Sequence, residues 1–90
     1  MQISKKITII NKLGLHARAA AKLVSVASRY ACEIHIVKGT RTVNGKSIMG
    51  VMMLAASKGT EIELRLEGEE TEKALAELES LINNRFNEAE

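Results

Sequence analysis

The sequence predicts an α+β fold in which a four-stranded antiparallel sheet is covered on one face by three helices, in the order β-α-β-β-α-β-α. Along the chain the hydrophobic period switches several times between about 2 and about 3.6 residues, and turn residues bound each switch. The clearest segment is 60–67, where isoleucine and leucine alternate with charged residues. Such alternation is typical of a strand with one buried and one solvated face. With all helices on the buried face, a two-layer architecture follows.

The first half of the chain is predicted to contain three strands and one helix. Residues 2–10 place three isoleucines on one face of a strand, and a short loop containing Gly14 follows. Residues 17–30 carry apolar side chains at helical spacing. Residues 33–38 and 41–44 are then predicted to form two further strands that a Gly-Thr turn connects.

The second half is predicted to contain two helices and the fourth strand. Ser47 is a favourable N-cap for a short helix with the sequence IMGVMML, which ends before Gly59. The alternating strand 60–67 comes next, and residues 70–84 form an amphipathic helix. The apolar stripe of this helix consists of Ala74, Leu75, Leu78, Leu81 and Ile82. We expect residues 1–90 to form a single domain, because the length leaves no room for a second core.

The size of the chain excludes several classes of protein. A domain of 90 residues buries only about 60% of the surface that its unfolded chain exposes, which leaves little room for a deep substrate cavity. No apolar run approaches the roughly 20 residues needed to span a bilayer. Residues 1–10 alternate instead of forming the apolar block of a signal peptide. The single cysteine, Cys32, excludes an internal disulfide; we expect a buried thiol in a reducing cytoplasm.

Charged residues are distributed unevenly along the chain. Residues 1–60 contain ten Lys or Arg and one Glu, a net charge of +9, whereas residues 61–90 contain three Lys or Arg and ten Glu, a net charge of −7. A basic surface favours acidic or phosphorylated partners, although solubility alone also accounts for such charges. No His, Cys or Asp stands at metal-ligand spacing from His16 or His35, so neither a metal nor another cofactor is expected.

The segment with the most distinctive chemistry is LGLHARAA at residues 13–20. It places His16 at or next to the N-cap of the first helix, where the backbone N–H groups of Ala17 and Arg18 have no internal acceptor and the helix dipole is positive. A helix start of this kind binds anions, and the Arg18 guanidinium suits phosphate oxygens. A neutral imidazole can act as a nucleophile. The same residues also fit an inert N-cap histidine beside a solvated arginine.

Two motifs together carry a family resemblance. LGLHARAAAKLV, with NGKSIMGVMMLAASKG at residues 44–59, resembles HPr, the histidine phosphocarrier family of the bacterial sugar phosphotransferase system. The resemblance covers essentially the whole chain in register and includes the order of strands and helices. It implies an open-faced β-sandwich and a carrier protein, not an enzyme.

The resemblance also implies a reaction. His16 would be phosphorylated on Nδ1 by enzyme I, with phosphoenolpyruvate as the source of the phosphoryl group. Arg18 would stabilise the phosphate, and the group would pass to a sugar-specific A component. We expect a cytoplasmic monomer that binds no nucleic acid and makes no stable membrane association.

Ala19 departs from the family pattern, which usually has proline just inside this helix. Proline fixes φ there and lacks an N–H that would have no partner in any case. Alanine frees that N–H and relaxes the restraint, although it is the best helix former. We expect an effect on transfer rates and not on the function itself.

Ser47 is a second candidate site. In HPr-like proteins of some bacteria the matching serine is phosphorylated by an ATP-dependent kinase, so an HPr kinase/phosphorylase is a further expected partner. Phosphoserine adds about −1.5 to −2 charges, which a helix start tolerates. The alternative is that Ser47 acts only as an N-cap, worth about 1 kcal/mol.

The helix after Ser47 is unusually apolar. Its apolar residues are Ile48, Met49, Met52 and Met53. We expect two or three of these side chains to face solvent. Adaptable methionines suit a surface that meets several partners, so we expect Ile48, Met49 and Met52 to bind them. Lys22 on the first helix is a further expected partner contact.

Three functional questions stay open. NKLGLHARAA and the C-terminal LINNRF also resemble the nitrogen-regulatory paralogue of HPr, which serves a phosphorelay without sugar uptake, whereas SIMGVMML favours the ordinary branch. The basic first two-thirds suggest a small RNA-binding domain, but Tyr30 and Phe86 lie outside the predicted strands on which bases would stack. A protein-interaction domain with an inert His16 is the third possibility.

Overall fold

The computed structural model describes residues 1–90 and contains the predicted order of elements. The strands are β1 (Gln2–Thr8), β2 (Glu33–Lys38), β3 (Arg41–Asn44) and β4 (Glu61–Glu67), and the helices are α1 (Ala17–Ala27), α2 (Ile48–Met53) and α3 (Thr71–Asn83). A 3-10 turn over Arg85–Asn87, which the sequence did not predict, follows α3. The predicted α+β architecture, with the helices on one face of the sheet, is confirmed.

The four strands form one sheet in the order β1-β4-β2-β3, and every neighbouring pair is antiparallel. Apolar residues oppose each other across the ladders, as Ile7 does with Ile62 and Ile36 with Leu64. These side chains lie on the face that the helices cover, because a period of two sends alternate residues to the same side. β1 is an edge strand whose C-terminal end leads into the loop before α1.

The hydrophobic core lies between the sheet and the helices and contains 21 buried residues. Leu78 and Ile82 of α3 are fully buried, as the predicted stripe requires, and Cys32 is buried as expected. Phe86 is also fully buried, although it follows the last helix. The burial of this ring closes one end of the core and anchors the C-terminal tail against the helices.

The predictions extended two elements, α1 and β1, too far at their C-terminal ends. α1 ends at Ala27 and not at Tyr30, because the next hydrogen bonds join residues three positions apart, as in a 3-10 turn. They run from Arg29 N–H to Val26 C=O (3.1 Å) and from Tyr30 N–H to Ala27 C=O (3.3 Å). β1 ends at Thr8 and not at residue 10. The chain beyond it pairs with the turn before β4 instead of with the strand itself.

The opposite face of the sheet carries no helix and is polar. His35 is exposed there, as predicted, alongside charged residues such as Glu33 and Arg65. None of the four strands contains Phe, Tyr or Trp, so this face lacks the large aromatic side chains on which sheet-based RNA-binding domains stack bases. None of the helices has the length and hydrophobicity to span a bilayer.

Candidate functional site

His16 is the N-cap of α1, as the sequence predicted. Its backbone is extended (φ −74°, ψ 177°), and the first helical bond runs from Ala20 N–H to His16 C=O at 2.8 Å. The amides of Ala17, Arg18 and Ala19 therefore have no backbone acceptor. Because the His16 side chain makes no capping bond to them, these N–H groups form the positive end of an uncapped helix.

The loop before α1 has one close contact that positions His16. Leu15 N–H donates to the carbonyl of Ala56 at 2.8 Å, which joins this loop to the segment after α2. Gly14 has φ +66°, and a Cβ atom placed on it would lie 2.4 Å from the Ala56 oxygen. Only glycine fits such a position, because both the backbone conformation and the space exclude a side chain. The contact fixes where the helix begins.

The imidazole of His16 is held by a carboxylate from the C-terminal tail. His16 Nε2 lies 2.5 Å from Glu88 Oε2, and the other carboxylate oxygen accepts a bond from Asn11 Nδ2 at 3.0 Å. Asn11 is completely buried and also donates to the carbonyl of Gly14 at 2.8 Å. His16 Nδ1 takes part in no hydrogen bond of the structure. The ring thus has one fixed nitrogen and one free nitrogen.

The environment of Glu88 favours its charged form. Burial on its own would raise the pKa of this carboxyl group, but the hydrogen bonds from Asn11 and His16 and the charges of His16 and Lys22 together hold the pKa of Glu88 below its ordinary value of 4.5. Its side chain is 16% exposed. Glu88 therefore accepts hydrogen bonds as a carboxylate at neutral pH.

An open cavity of about 620 Å³ adjoins this site. It is lined by Lys12, Leu13, Arg18, Lys22, Asn87, Glu88, Ala89 and Glu90. The Arg18 guanidinium is exposed and makes no hydrogen bond or ion pair, so it is free to bind an anion. The Lys22 ammonium group instead donates to the carbonyl of Phe86 at 2.6 Å. Lys22 therefore holds the tail as well as adding positive charge.

Ser47 and α2 form a second candidate feature, and the segment that follows α2 contacts the same loop. Ser47 is the N-cap of α2, and its Oγ accepts a bond from Gly50 N–H at 3.1 Å. All four predicted apolar residues are exposed, with Ile48 at 44%, Met49 at 70%, Met52 at 39% and Met53 at 64%. The expectation of two or three was therefore too low. The reason is that only Val51 of this short helix is buried against the core.

The sequence prediction did not name Asn11, Leu13 or Glu88 as residues of the site. Asn11 and Glu88 are polar residues in loop and tail segments that carry no periodicity, and nothing local to them indicates that they meet His16. Leu13 is 66% exposed and lines the cavity beside Arg18. An apolar residue in a polar turn was a signal that could have marked Leu13.

Comparison with known proteins assigns the chain to a family. Residues 3–84 match the model of the family described as "PTS HPr component phosphorylation site". The chain belongs to the HPr family. It is 60% identical over 86 residues to the phosphocarrier protein HPr of Pseudomonas aeruginosa, an alignment that covers 94% of this chain and 96% of the relative. The HPr of Neisseria meningitidis is 51% identical over 98% of this chain and 99% of its own.

Solved HPr structures share the fold closely. HPr-C-His from Thermoanaerobacter tengcongensis superposes with a TM-score of 0.94 at 42% identity and covers 98% of this chain and 99% of its own. A structure described as an HPr dimer from the same organism has a TM-score of 0.78 at 45% identity, with 91% of this chain and 94% of its own covered. HPr is a phosphocarrier protein of the phosphotransferase system and not an enzyme.

Proposed function

We propose that this chain accepts a phosphoryl group on Nδ1 of His16 from phosphorylated enzyme I and passes it to a sugar-specific A component. The observation that carries the proposal is the position of His16. The Nδ1 atom of its ring makes no hydrogen bond, and the residue is the N-cap of a helix whose first three amides have no backbone acceptor. A nucleophilic nitrogen next to a preformed anion site is what phosphoryl acceptance needs.

Arg18 and the helix start are assigned to charge stabilisation. Phosphoryl transfer depends mainly on positioning and on neutralising the charge of the phosphoryl oxygens. The amides of Ala17 and Arg18 belong to the first turn of α1, and the guanidinium of Arg18 has no other partner in the structure. A guanidinium matches the geometry of phosphate oxygens and is charged at every physiological pH.

The exposed apolar residues of α2 support a docking role. Ile48, Met49 and Met52 are expected to pack against enzyme I and the A component, because buried apolar contacts stabilise protein complexes and methionines adapt to different surfaces. The Leu15–Ala56 hydrogen bond joins the segment that follows α2 to the loop before His16. We expect a partner that binds α2 to contact the His16 loop as well. The Lys22 charge beside the cavity favours acidic partners.

The sugar branch is favoured over the nitrogen branch. The relatives described above carry the name phosphocarrier protein HPr. Transfer from the phosphorylated chain to purified sugar-specific and nitrogen-branch A components, measured side by side, tests this choice. Faster transfer to the nitrogen-branch component would reverse it. Sedimentation of the chain tests the proposal that it is a monomer, and fractionation of cells tests the proposed cytoplasmic location.

The central experiment is phosphorylation with enzyme I and labelled phosphoenolpyruvate. We expect wild-type protein to take up label that is lost in acid and kept in alkali, as for phosphohistidine, and we expect none with His16→Ala. Arg18→Ala should slow uptake at least about tenfold, since one charged donor to a transferring group contributes that much or more. Lys73→Ala removes one positive charge from an exposed position of α3 and serves as the control. Equal labelling of His16→Ala would refute the proposal.

We further propose that Ser47 is a regulatory phosphorylation site for an HPr kinase/phosphorylase. Its position at the start of α2 supports this, because a phosphate there adds about −1.5 to −2 charges beside the apolar docking residues while the helix start tolerates it. Ser47→Asp should weaken uptake from enzyme I, whereas Ser47→Ala should not. Unchanged uptake with both variants would contradict a regulatory role.

A further inference from the structure

The C-terminal tail reaches the imidazole along a left-handed path. Residues 85–87 have φ values of 56°, 54° and 62°. Left-handed conformations are unfavourable for residues other than glycine and persist only where surrounding contacts impose them. Here the ring of Phe86 is fully buried and its carbonyl accepts a bond from Lys22 Nζ at 2.6 Å. The resulting bend delivers Glu88 to His16.

We propose that Glu88 is a positioning residue for the His16 imidazole, a role that rests on the phosphoryl transfer proposed above. Glu88 Oε2 lies 2.5 Å from Nε2 of the ring. A carboxylate only accepts hydrogen bonds, so the proton between them belongs to Nε2. The lone pair is thereby kept on Nδ1, the nitrogen that makes no hydrogen bond in the structure. A carboxylate that holds a histidine in one tautomer is a known way to prepare the ring for nucleophilic chemistry.

Asn11 orients the carboxylate in turn. Its Nδ2 donates both to Glu88 Oε1 at 3.0 Å and to the Gly14 carbonyl at 2.8 Å, and its side chain is completely buried. The carboxylate is therefore held at both oxygens, one by a fixed amide and one by the ring. Burial and two partners leave it a single orientation. The hydrogen bond from Nε2 in turn orients the imidazole ring.

The Glu88–His16 contact also places a negative charge next to the ring that becomes positively charged during phosphoryl transfer. The Nδ1 lone pair forms the bond to phosphorus while the donor's bond to phosphorus breaks, and that bonding pair leaves with the donor. The proton stays on Nε2, so the phosphorylated ring carries a positive charge. The carboxylate of Glu88 lies directly against that charge and stabilises it. When the next acceptor attacks phosphorus, the N–P electron pair returns to Nδ1 and Glu88 remains chemically unchanged.

The test measures phosphoryl uptake and the protonation pattern of the ring together. Glu88→Ala removes the acceptor and its charge, whereas Glu88→Gln removes the charge in nearly the same volume. We expect initial uptake from enzyme I to fall about tenfold with alanine, the lower end of the loss that follows when a carboxylate that orients a metal-bound histidine is removed, and less with glutamine. Nitrogen NMR of the ring, at a pH well above the ordinary histidine pKa of about 6.5, should show Nε2–H in wild type and a mixture with alanine. Glu69→Gln, an exposed charge change away from the site, should behave as wild type.

The possible outcomes separate the two proposals. If wild type takes no label, or His16→Ala takes it equally, the phosphocarrier proposal fails and the role of Glu88 fails with it. If wild type is labelled on His16 while Glu88→Ala matches its rate and ring spectrum, only the role of Glu88 is overturned. Slower uptake with an unchanged ring spectrum also overturns it, because the effect is then merely structural. Amide spectra that match wild type for Glu88→Gln verify that the tail remains folded.

Discussion

Replacing Gly14 with alanine should damage the protein more than the same change at another left-handed glycine. The backbone at Gly14 has φ +66°, which costs alanine roughly 1 kcal/mol or more. The added Cβ would also lie 2.4 Å from the Ala56 carbonyl and 2.8 Å from Ser57 Cα, both backbone atoms that cannot rotate away. Relieving an overpacked contact of this kind costs typically about 1–3 kcal/mol. We expect a loss of about 3 kcal/mol in the free energy of unfolding.

Gly39→Ala is the matched control. Gly39 has φ +59°, close to that of Gly14, but nothing lies within 4 Å of an added Cβ. This variant should lose only the conformational part, about 1 kcal/mol. In a domain of this size, 3 kcal/mol corresponds to a fall of about 12–24 °C in Tm. Urea and thermal unfolding of both variants measure the difference.

A functional consequence should accompany the loss of stability. The clash at Gly14 pushes the loop away from Ala56 and strains the 2.8 Å bond from Leu15 N–H. His16 follows directly, so its uptake of phosphoryl groups should also slow under conditions where the variant is still folded. Equal unfolding free energies for Gly14→Ala and Gly39→Ala would refute the reasoning, because both glycines have a left-handed backbone and only Gly14 has backbone atoms within contact distance of an added Cβ.

Three further predictions concern single side chains. Ser47→Ala should lower the free energy of unfolding by about 1 kcal/mol through loss of the cap to Gly50, measured by urea unfolding. The pKa of Glu88 in the folded protein is lowered from 4.5, so its contribution to the free energy of unfolding is complete above pH 4.5 and declines as the pH falls through the folded pKa. The difference in unfolding free energy between wild type and Glu88→Gln should therefore shrink on acidification. The hydrogen bond to Glu77 raises the pKa of Tyr30 above 10.0. The contribution of this bond to the free energy of unfolding is therefore present below pH 10.0 and is lost as the pH rises through the folded pKa. Urea unfolding of wild type and Tyr30→Phe measures this, and a stability difference that persists at higher pH would contradict it.

The sequence predicted the elements of the fold well because their signals are local. The alternation of Ile62, Leu64 and Leu66 produces a strand with one buried face wherever it lies in the sheet. Ser47 caps a helix through a bond to a residue only three positions away. The end of α1 was less predictable, since residues after Ala27 continue the apolar pattern while the backbone already turns.

In the candidate site, too, the residues with local sequence signals could be predicted and those held by long-range contacts could not. His16 and Arg18 could be placed from sequence because a helix start exposes its first amides regardless of the rest of the molecule. Glu88 could not be placed, because it lies 72 residues from His16 and no periodicity marks the tail. The bend that carries it depends on the burial of Phe86, which is itself a consequence of core packing.

By itself the sequence determined the order of elements, the buried faces and the N-caps of two helices, His16 and Ser47. Each of these follows from neighbours within a turn or a strand. Only the tertiary structure decided that the Ala56 carbonyl occupies the space beside Gly14 and that Glu88 and Asn11 hold the imidazole. These contacts join positions far apart in the chain, and the packing of the whole core determines whether such positions meet.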